Sequence, residues 1–131
     1  MRNRGAAIIL DSGKIALIKR VREGQTYYVF PGGGIEDGET PGQAAIREVF
    51  EELGVTVKLK ESPLISERED GSTESYYFAD IISGSFGSGK GEEFELSGGR
   101  GTYTPVWVCL GELSSIDVRP IEIAASLTEK G

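Results

Sequence analysis

The sequence predicts an α/β fold. Apolar, β-branched runs of strand length stand both before and after a single strongly signalled helix, a glycine-rich turn joins the last of the early runs to that helix, and 131 residues suit one domain with one core, expected to span 1–131.

Residues 1–4 read as a frayed basic tail leading into an apolar run at 5–10. Asp11, Ser12 and Gly13 form a turn, and residues 14–20 supply a second run, so the two read as a hairpin. Residues 21–25 form a charged loop. Residues 26–30 make a short aromatic strand that delivers the chain into Pro31, Gly32, Gly33 and Gly34, and Tyr27 or Tyr28 is placed to face a bound base, half-buried packing being the alternative. Glycines at that point let backbone approach a phosphate closely.

Thr40, Pro41 and Gln43 give the start of a helix: a hydroxyl cap, a proline where its missing N–H costs nothing, and a glutamine three residues after the cap. Gly54 gives the stop. Over Pro41–Leu53 at about 100° per residue, Ile46, Val49, Phe50 and Leu53 form a core face, while Glu48, Glu51 and Glu52 gather nearly opposite. Like charges at these spacings repel. A solvated acidic face is one reading. Clustered oxygen ligands for a hard cation such as Mg²⁺ are the other, and the adjoining glycines favour it, since a phosphate-bearing substrate explains both features.

After the helix, residues 56–60 alternate, and runs at 64–69 and 73–82 pair as a hairpin through Asp70-Gly71, read as a type I′ turn. Tyr76, Tyr77 and Phe78 contribute to the central sheet. Glycine- and serine-rich stretches at 83–91 and 97–101 bracket Glu92, Glu93 and Glu95. Residues 102–110 are a strand containing a core-like Val106-Trp107-Val108, with Cys109 read as a buried, reduced thiol. Pro120 opens a last helix, to about Thr128, with Ile121, Ala124 and Ala125 as its apolar stripe.

The net charge of −7 argues against a nucleic-acid polymer held through its phosphates but leaves room for a small polyphosphate whose charge a metal offsets. No histidine is present, which removes histidine catalysis. No leader-like segment and no apolar run near about 18 residues is seen, which points to a cytoplasmic protein that binds no membrane.

Gly33, Glu39, Arg47, Glu48, Val49, Glu51, Glu52, Gly54 and Val55 together match every fixed position of the Nudix box, which here covers 33–55. The chain therefore resembles the MutT-like Nudix hydrolases. That resemblance implies a small α/β/α sandwich with a mixed sheet and a catalytic loop-helix, and metal-assisted cleavage of a nucleoside diphosphate linked to another group, with Mg²⁺ or Mn²⁺. It implies Glu48, Glu51 and Glu52 as metal ligands, one of them or an outside glutamate as base, and a Glu39–Arg47 pair that orients them. Gly32, Gly33, Gly34 and Tyr28 are the candidate substrate contacts. Such enzymes often draw a further glutamate from a later loop, here Glu93 first and Glu92 second, and homodimers are common among them. The side motifs of ADP-ribose, diadenosine polyphosphate, NADH and coenzyme A hydrolases are missing, which leaves nucleoside triphosphates, oxidised ones among them, as the leading substrate. A nucleoside diphosphate sugar hydrolase and a catalytically silent nucleotide sensor are the alternatives.

Overall fold

The computed structural model describes residues 2–87, 94–96 and 101–128, with 94–96 and 101 described as backbone. The chain starts with a hairpin of β1 (Arg4–Asp11) and β2 (Lys14–Arg22), in register Leu10↔Ile15 and Asp11↔Lys14. Ser12 and Gly13 have φ of 54° and 77°, the left-handed pair that a tight two-residue hairpin turn requires. The same device recurs at Glu23 and Gly24, φ 52° and 79°, between β2 and β3 (Gln25–Val29). The charged loop expected over 21–25 is thus only those two residues, because the turn's twist lets both strands continue to its edge.

Beyond their shared turn, β1 and β2 separate. β1 pairs antiparallel with β4 (Gly32–Gly34) and parallel with β6 (Thr73–Gly84), while β2 pairs antiparallel with β3 and with β8 (Gly101–Cys109). β5 (Val55–Glu67) lies antiparallel to β6, β7 (Phe94–Leu96) antiparallel to β8, and β9 (Val118–Arg119) parallel to β3. The main path through this mixed sheet is β5-β6-β1-β2-β3-β9.

The two-residue period of a strand then builds two cores. Ala6, Ile8, Ile15 and Leu17 point to one face and pack with Phe30, Tyr76, Leu113, Ile123 and Ala124. Ala7, Ile9, Ala16 and Ile18 point to the other and pack with Val49, Leu53, Val55, Val57 and Ala79. Helix α1 (Pro41–Leu53) covers the second face, and a 3₁₀ helix (Leu110–Ser115) with α2 (Ile121–Thr128) covers the first. The result is an α/β/α sandwich with a mixed sheet, as the resemblance implied.

α1 begins and ends at the expected residues. Thr40 Oγ1 accepts the Gln43 N–H at 3.1 Å, Gln43 Oε1 accepts the Thr40 N–H at 2.9 Å, and Gly54, at φ 81°, donates its N–H to Phe50 O. Its buried face keeps Val49 and Leu53, with Ile46 packed against the same core, but is rotated away from Phe50. Ala44, Ala45, Val49 and Leu53 are buried, whereas Phe50 is 58% exposed. The cause lies across the interface: a Cβ at Gly5 would collide with the Pro41 carbonyl and crowd the Ala45 nitrogen, so helix and strand meet through their smallest residues. The stripe Ala45-Val49-Leu53 faces the sheet, Phe50 turns outward, and Glu48 and Glu52 come to the border of the buried face instead of standing opposite it.

Four other expectations change. The runs expected at 56–60 and 64–69 form one strand, β5, interrupted by a register shift between Lys60 and Leu64, where Glu61 has φ 58°. The turn at Asp70-Gly71 is wider than a type I′ turn. Arg68 donates its N–H to Ser72 O, Gly71 donates to Arg68 O, and only Gly71 of the pair is left-handed. Asp70 Oδ1 instead accepts the Ser72 N–H and hydroxyl at 2.8 and 2.6 Å, the local bond that aspartate favours in turns. Cys109 is exposed, because Val108 takes the inward position and the strand period sends its neighbour outward. In α2, Ile123 and Ala124 are buried while Ile121 is 76% exposed, since β9 fixes the phase in which the helix leaves the sheet. Among the described residues no helix is long and apolar enough to cross a membrane.

The close approach of α1 to β1 yields a stability test. Gly5→Ala should destabilise the protein by about 1–3 kcal/mol, the usual cost of forcing atoms into a packed contact. Gly111→Ala, whose added methyl meets nothing within 4 Å, should stay within about 0.5 kcal/mol. Urea denaturation of the two variants checks the difference.

Candidate active site

The three glycines after Pro31 form a short strand, not a turn, and each makes room for a neighbour. A Cβ at Gly32 would strike Ala6 and the Gly5 carbonyl, one at Gly33 would fall on the Glu48 carboxylate, and one at Gly34 would fall on the Arg2 side chain. Successive strand positions face opposite ways, so Glu48 and Arg2 lie on opposite sides of β4.

Arg47 sits at the centre of the arrangement. Its Nε donates to Glu39 Oε2 at 2.7 Å and its Nη2 to Glu39 Oε1 at 3.0 Å, a two-pronged clamp. Nη2 also reaches Gly34 O at 3.0 Å, and Nη1 contacts Glu48 Oε2 at 3.1 Å and Glu51 Oε1 at 3.4 Å. Glu39 in turn accepts the Glu36 N–H at 2.9 Å. One guanidinium therefore joins the loop before the helix, the glycine strand and two helix carboxylates. The third carboxylate, Glu52, turns toward the sheet and accepts the Gly32 N–H at 2.9 Å.

The electrostatics follow from these contacts. The Arg47 hydrogen bond, helped by the Glu36 N–H, holds the Glu39 carboxyl down at about 2, and Glu39 raises the Arg47 guanidinium above its usual value. Burial pushes the Glu52 carboxyl up to about 8, with the nearby Glu48 charge adding to the rise and the Gly32 hydrogen bond opposing it. Burial also raises the Tyr103 hydroxyl, and the Glu52 and Glu48 charges add to that, which marks β8 as a wall of the same site.

Glu39, Arg47, Glu48, Glu51, Glu52 and Gly32–Gly34 are thus brought together. Tyr28 is not with them: it packs against the first core. Tyr27 instead lines an open cavity of about 460 Å³ that Arg4, Arg20, Phe30, Tyr76 and Arg119 help enclose, and the Arg119 guanidinium lies 4.1 Å from the centre of the Tyr27 ring. Glu92 and Glu93 lie outside the described residues. Sequence reasoning missed the arginines. The tail read as frayed is held down, with Arg4 Nη2 donating to Gly32 O at 3.3 Å and Arg2 Nε reaching Ile35 O at 3.4 Å; the basic residues at its start were the available sign.

The NUDIX domain profile matches residues 1–122. The chain belongs to the Nudix family. Over 56 residues it is 48% identical to an RNA pyrophosphohydrolase of Vibrio vulnificus, a match covering 43% of this chain and 31% of that enzyme, so the match spans about a third of the curated relative's length. Among solved structures it superposes on a MutT described for Aliivibrio salmonicida and Vibrio cholerae with a TM-score of 0.73 at 20% identity, covering 98% and 96% of the two chains. It also superposes on an ADP-ribose pyrophosphatase of Streptococcus suis with a TM-score of 0.72 at 18% identity, covering 98% and 90%. These likenesses to solved structures carry the fold.

Nudix hydrolases generally use divalent metals. Among the described residues no three acidic side chains stand gathered about one point: Arg47 lies between Glu48 and Glu51, and Glu52 is turned to Gly32. The chemistry of the set nevertheless fits a hard cation. Three carboxyl groups lie within two helical turns, and Glu52 is raised first by burial and then by the Glu48 charge, so a cation beside it would favour its ionised, ligating form.

The raised Glu52 value fixes a sign for the stability of the metal-free Nudix domain. The folded protein holds this proton to a higher pH than the unfolded chain does, so folding is penalised as pH climbs from about 4.5 to about 8. Glu39 acts in the separate window from 4.5 down to about 2, where its stabilising contribution is lost as pH falls. Thermal unfolding in chelator should therefore show Tm falling across the upper window, and Glu52→Gln should flatten that slope while leaving the acid limb in place. An unchanged upper slope in the variant would remove Glu52 from this account.

Proposed function

We propose that this Nudix hydrolase cleaves a nucleoside triphosphate to the monophosphate and pyrophosphate, with Mg²⁺ or Mn²⁺ held by Glu48, Glu51 and Glu52. The observation that supports this reading is that Arg47 links Glu48 and Glu51 to Gly34 while Glu52 accepts the Gly32 N–H, so all three carboxyls are tied to the glycine strand. A bound divalent ion would neutralise charge on the phosphate oxygens and lower the pKa of an attacking water.

The chain's own residues do the rest. Arg47, anchored by Glu39, holds the loop and the helix carboxylates in a fixed relation, which supplies the preorganisation that phosphoryl transfer relies on. Water adds to phosphorus, its proton passes to a carboxylate of this cluster, and the anhydride P–O bond breaks to release pyrophosphate. The cavity beside β3 offers a place for the nucleoside, with the Tyr27 ring and Arg119 guanidinium as flat, stackable surfaces.

A second reading has a specific support. The curated relative is an RNA pyrophosphohydrolase, and arginines cluster next to the glycine strand despite the acidic whole, so the triphosphate could belong to the 5′ end of an RNA. The bond broken is then the same and the product again pyrophosphate.

Turnover should depend on Mg²⁺ or Mn²⁺ and should fall by at least about 100-fold in Glu51→Gln, Glu52→Gln, the scale of losing positioned acid-base and charge stabilisation. A panel of nucleoside triphosphates, oxidised triphosphates, a 5′-triphosphorylated oligonucleotide and ADP-ribose, assayed for pyrophosphate and for sugar phosphate, tests the substrate. Release of sugar phosphate alone would overturn the triphosphate reading.

A further inference from the structure

On the far side of β4 from the helix carboxylates lies a second cavity, of about 350 Å³, lined by Arg2, Arg4, Gly34, Arg68 and Asp70. We propose that it is a phosphate subsite, distinct from the one under attack. Arg2, Arg4 and Arg68 come from the chain terminus, β1 and the β5–β6 turn, so the fold alone brings three guanidiniums together.

Two of them share one carboxylate. Glu74, whose side chain is 14% exposed, contacts both Arg4 and Arg68, at 3.5 and 3.3 Å. Its other oxygen accepts the Tyr76 hydroxyl at 2.8 Å. Asp70 spends one oxygen on Ser72. The cavity wall itself carries three arginines and one aspartate, with Glu74 reaching Arg4 and Arg68, a locally basic lining in a chain whose net charge is −7. Glu74 thus acts as a positioning residue that holds two guanidiniums at the wall. Gly34 gives Arg2 its place, because a side chain there would push the guanidinium away. Each guanidinium carries more N–H groups than the contacts given above use, and planar guanidiniums gathered at one cavity are suited to phosphate oxygens.

The adjacency explains what such a subsite would do. Gly34 offers its carbonyl to Arg47 and its open Cα face to Arg2, so the two anion-handling regions share one strand residue. A substrate with a polyphosphate at the helix and a further phosphodiester would bridge them. Free inorganic phosphate would occupy the same guanidiniums without turnover. The substrate half of the proposal rests on the hydrolase reading above; the phosphate half does not.

Two measurements separate these cases. Inorganic phosphate titrated into the intact, metal-free protein should shift the arginine Nε–H resonances of Arg2, Arg4 and Arg68 and should bind about tenfold more weakly to Arg2→Gln, the loss of one charge-assisted hydrogen bond. Independently, Arg2→Gln should raise KM for a 5′-triphosphorylated trinucleotide about tenfold more than it raises KM for the matching mononucleoside triphosphate. Weakened phosphate binding with both KM values unmoved would assign the subsite to free phosphate. No phosphate-dependent shift of these resonances, together with no selective rise in KM, would overturn the proposal even if hydrolysis itself is confirmed. Arg68→Gln provides a second variant, expected to weaken phosphate binding in the same direction.

Discussion

The bonds from Arg47 to Glu39 and Gly34 are the constraint on which the site depends. The sheet and the helix could pack without them, since that packing is made of Gly5, Ala45, Val49 and Leu53. The loop between β4 and α1 has no comparable core contact. Its position comes from the guanidinium, which grips Glu39 with two nitrogens and the strand carbonyl with one of the same pair. A lysine could not do this, because a single ammonium lacks the planar fork that faces a carboxylate and a carbonyl at once.

That clamp also settles a conflict created by the packing. Because small residues bring α1 close to β1, the helix is rotated so that Glu48 and Glu52 reach the border of the core. A fully solvated acidic face would have been electrostatically easy and chemically idle. At the border, Glu52 loses hydration and feels Glu48, which is why its carboxyl is raised, while Glu39, paired with Arg47, is lowered. Two carboxyls of one short stretch are thus driven in opposite directions by their surroundings, a pattern that belongs to functional sites more than to solvated surfaces.

What could be read from the sequence divides along the range of the forces involved. The ends of α1 were legible because capping is decided by Thr40, Gln43 and Gly54 within the segment itself. The rotation of the helix's buried face away from Phe50 was not, because Gly5, a long way back in the chain, decides it. Tyr27 and Tyr28 could not be told apart without knowing that β3 has β2 on one side and β9 on the other. The type I′ reading of Asp70-Gly71 failed through a competing local bond, Asp70 to Ser72, whereas Ser12-Gly13 and Glu23-Gly24 took that geometry without so strong a motif.

The arginines show the limit most clearly. Arg2, Arg4 and Arg68 are unremarkable in sequence: two in a basic start, one in a charged turn. Their convergence is a product of topology. β1 and β6 run parallel and adjacent, in register Arg4↔Glu74, and the β5–β6 turn therefore returns Arg68 beside the chain terminus. Glu74 can then hold two guanidiniums at once, and Gly34 completes the wall from β4. An acidic chain in this way gathers three arginines beside β4, a strand whose glycines also meet its carboxylate helix. Net charge, which averages over the whole surface, carries no information about such a local reversal, and the argument from −7 against polymeric nucleic acid is correspondingly weaker at this edge of the sheet than over the rest of the molecule.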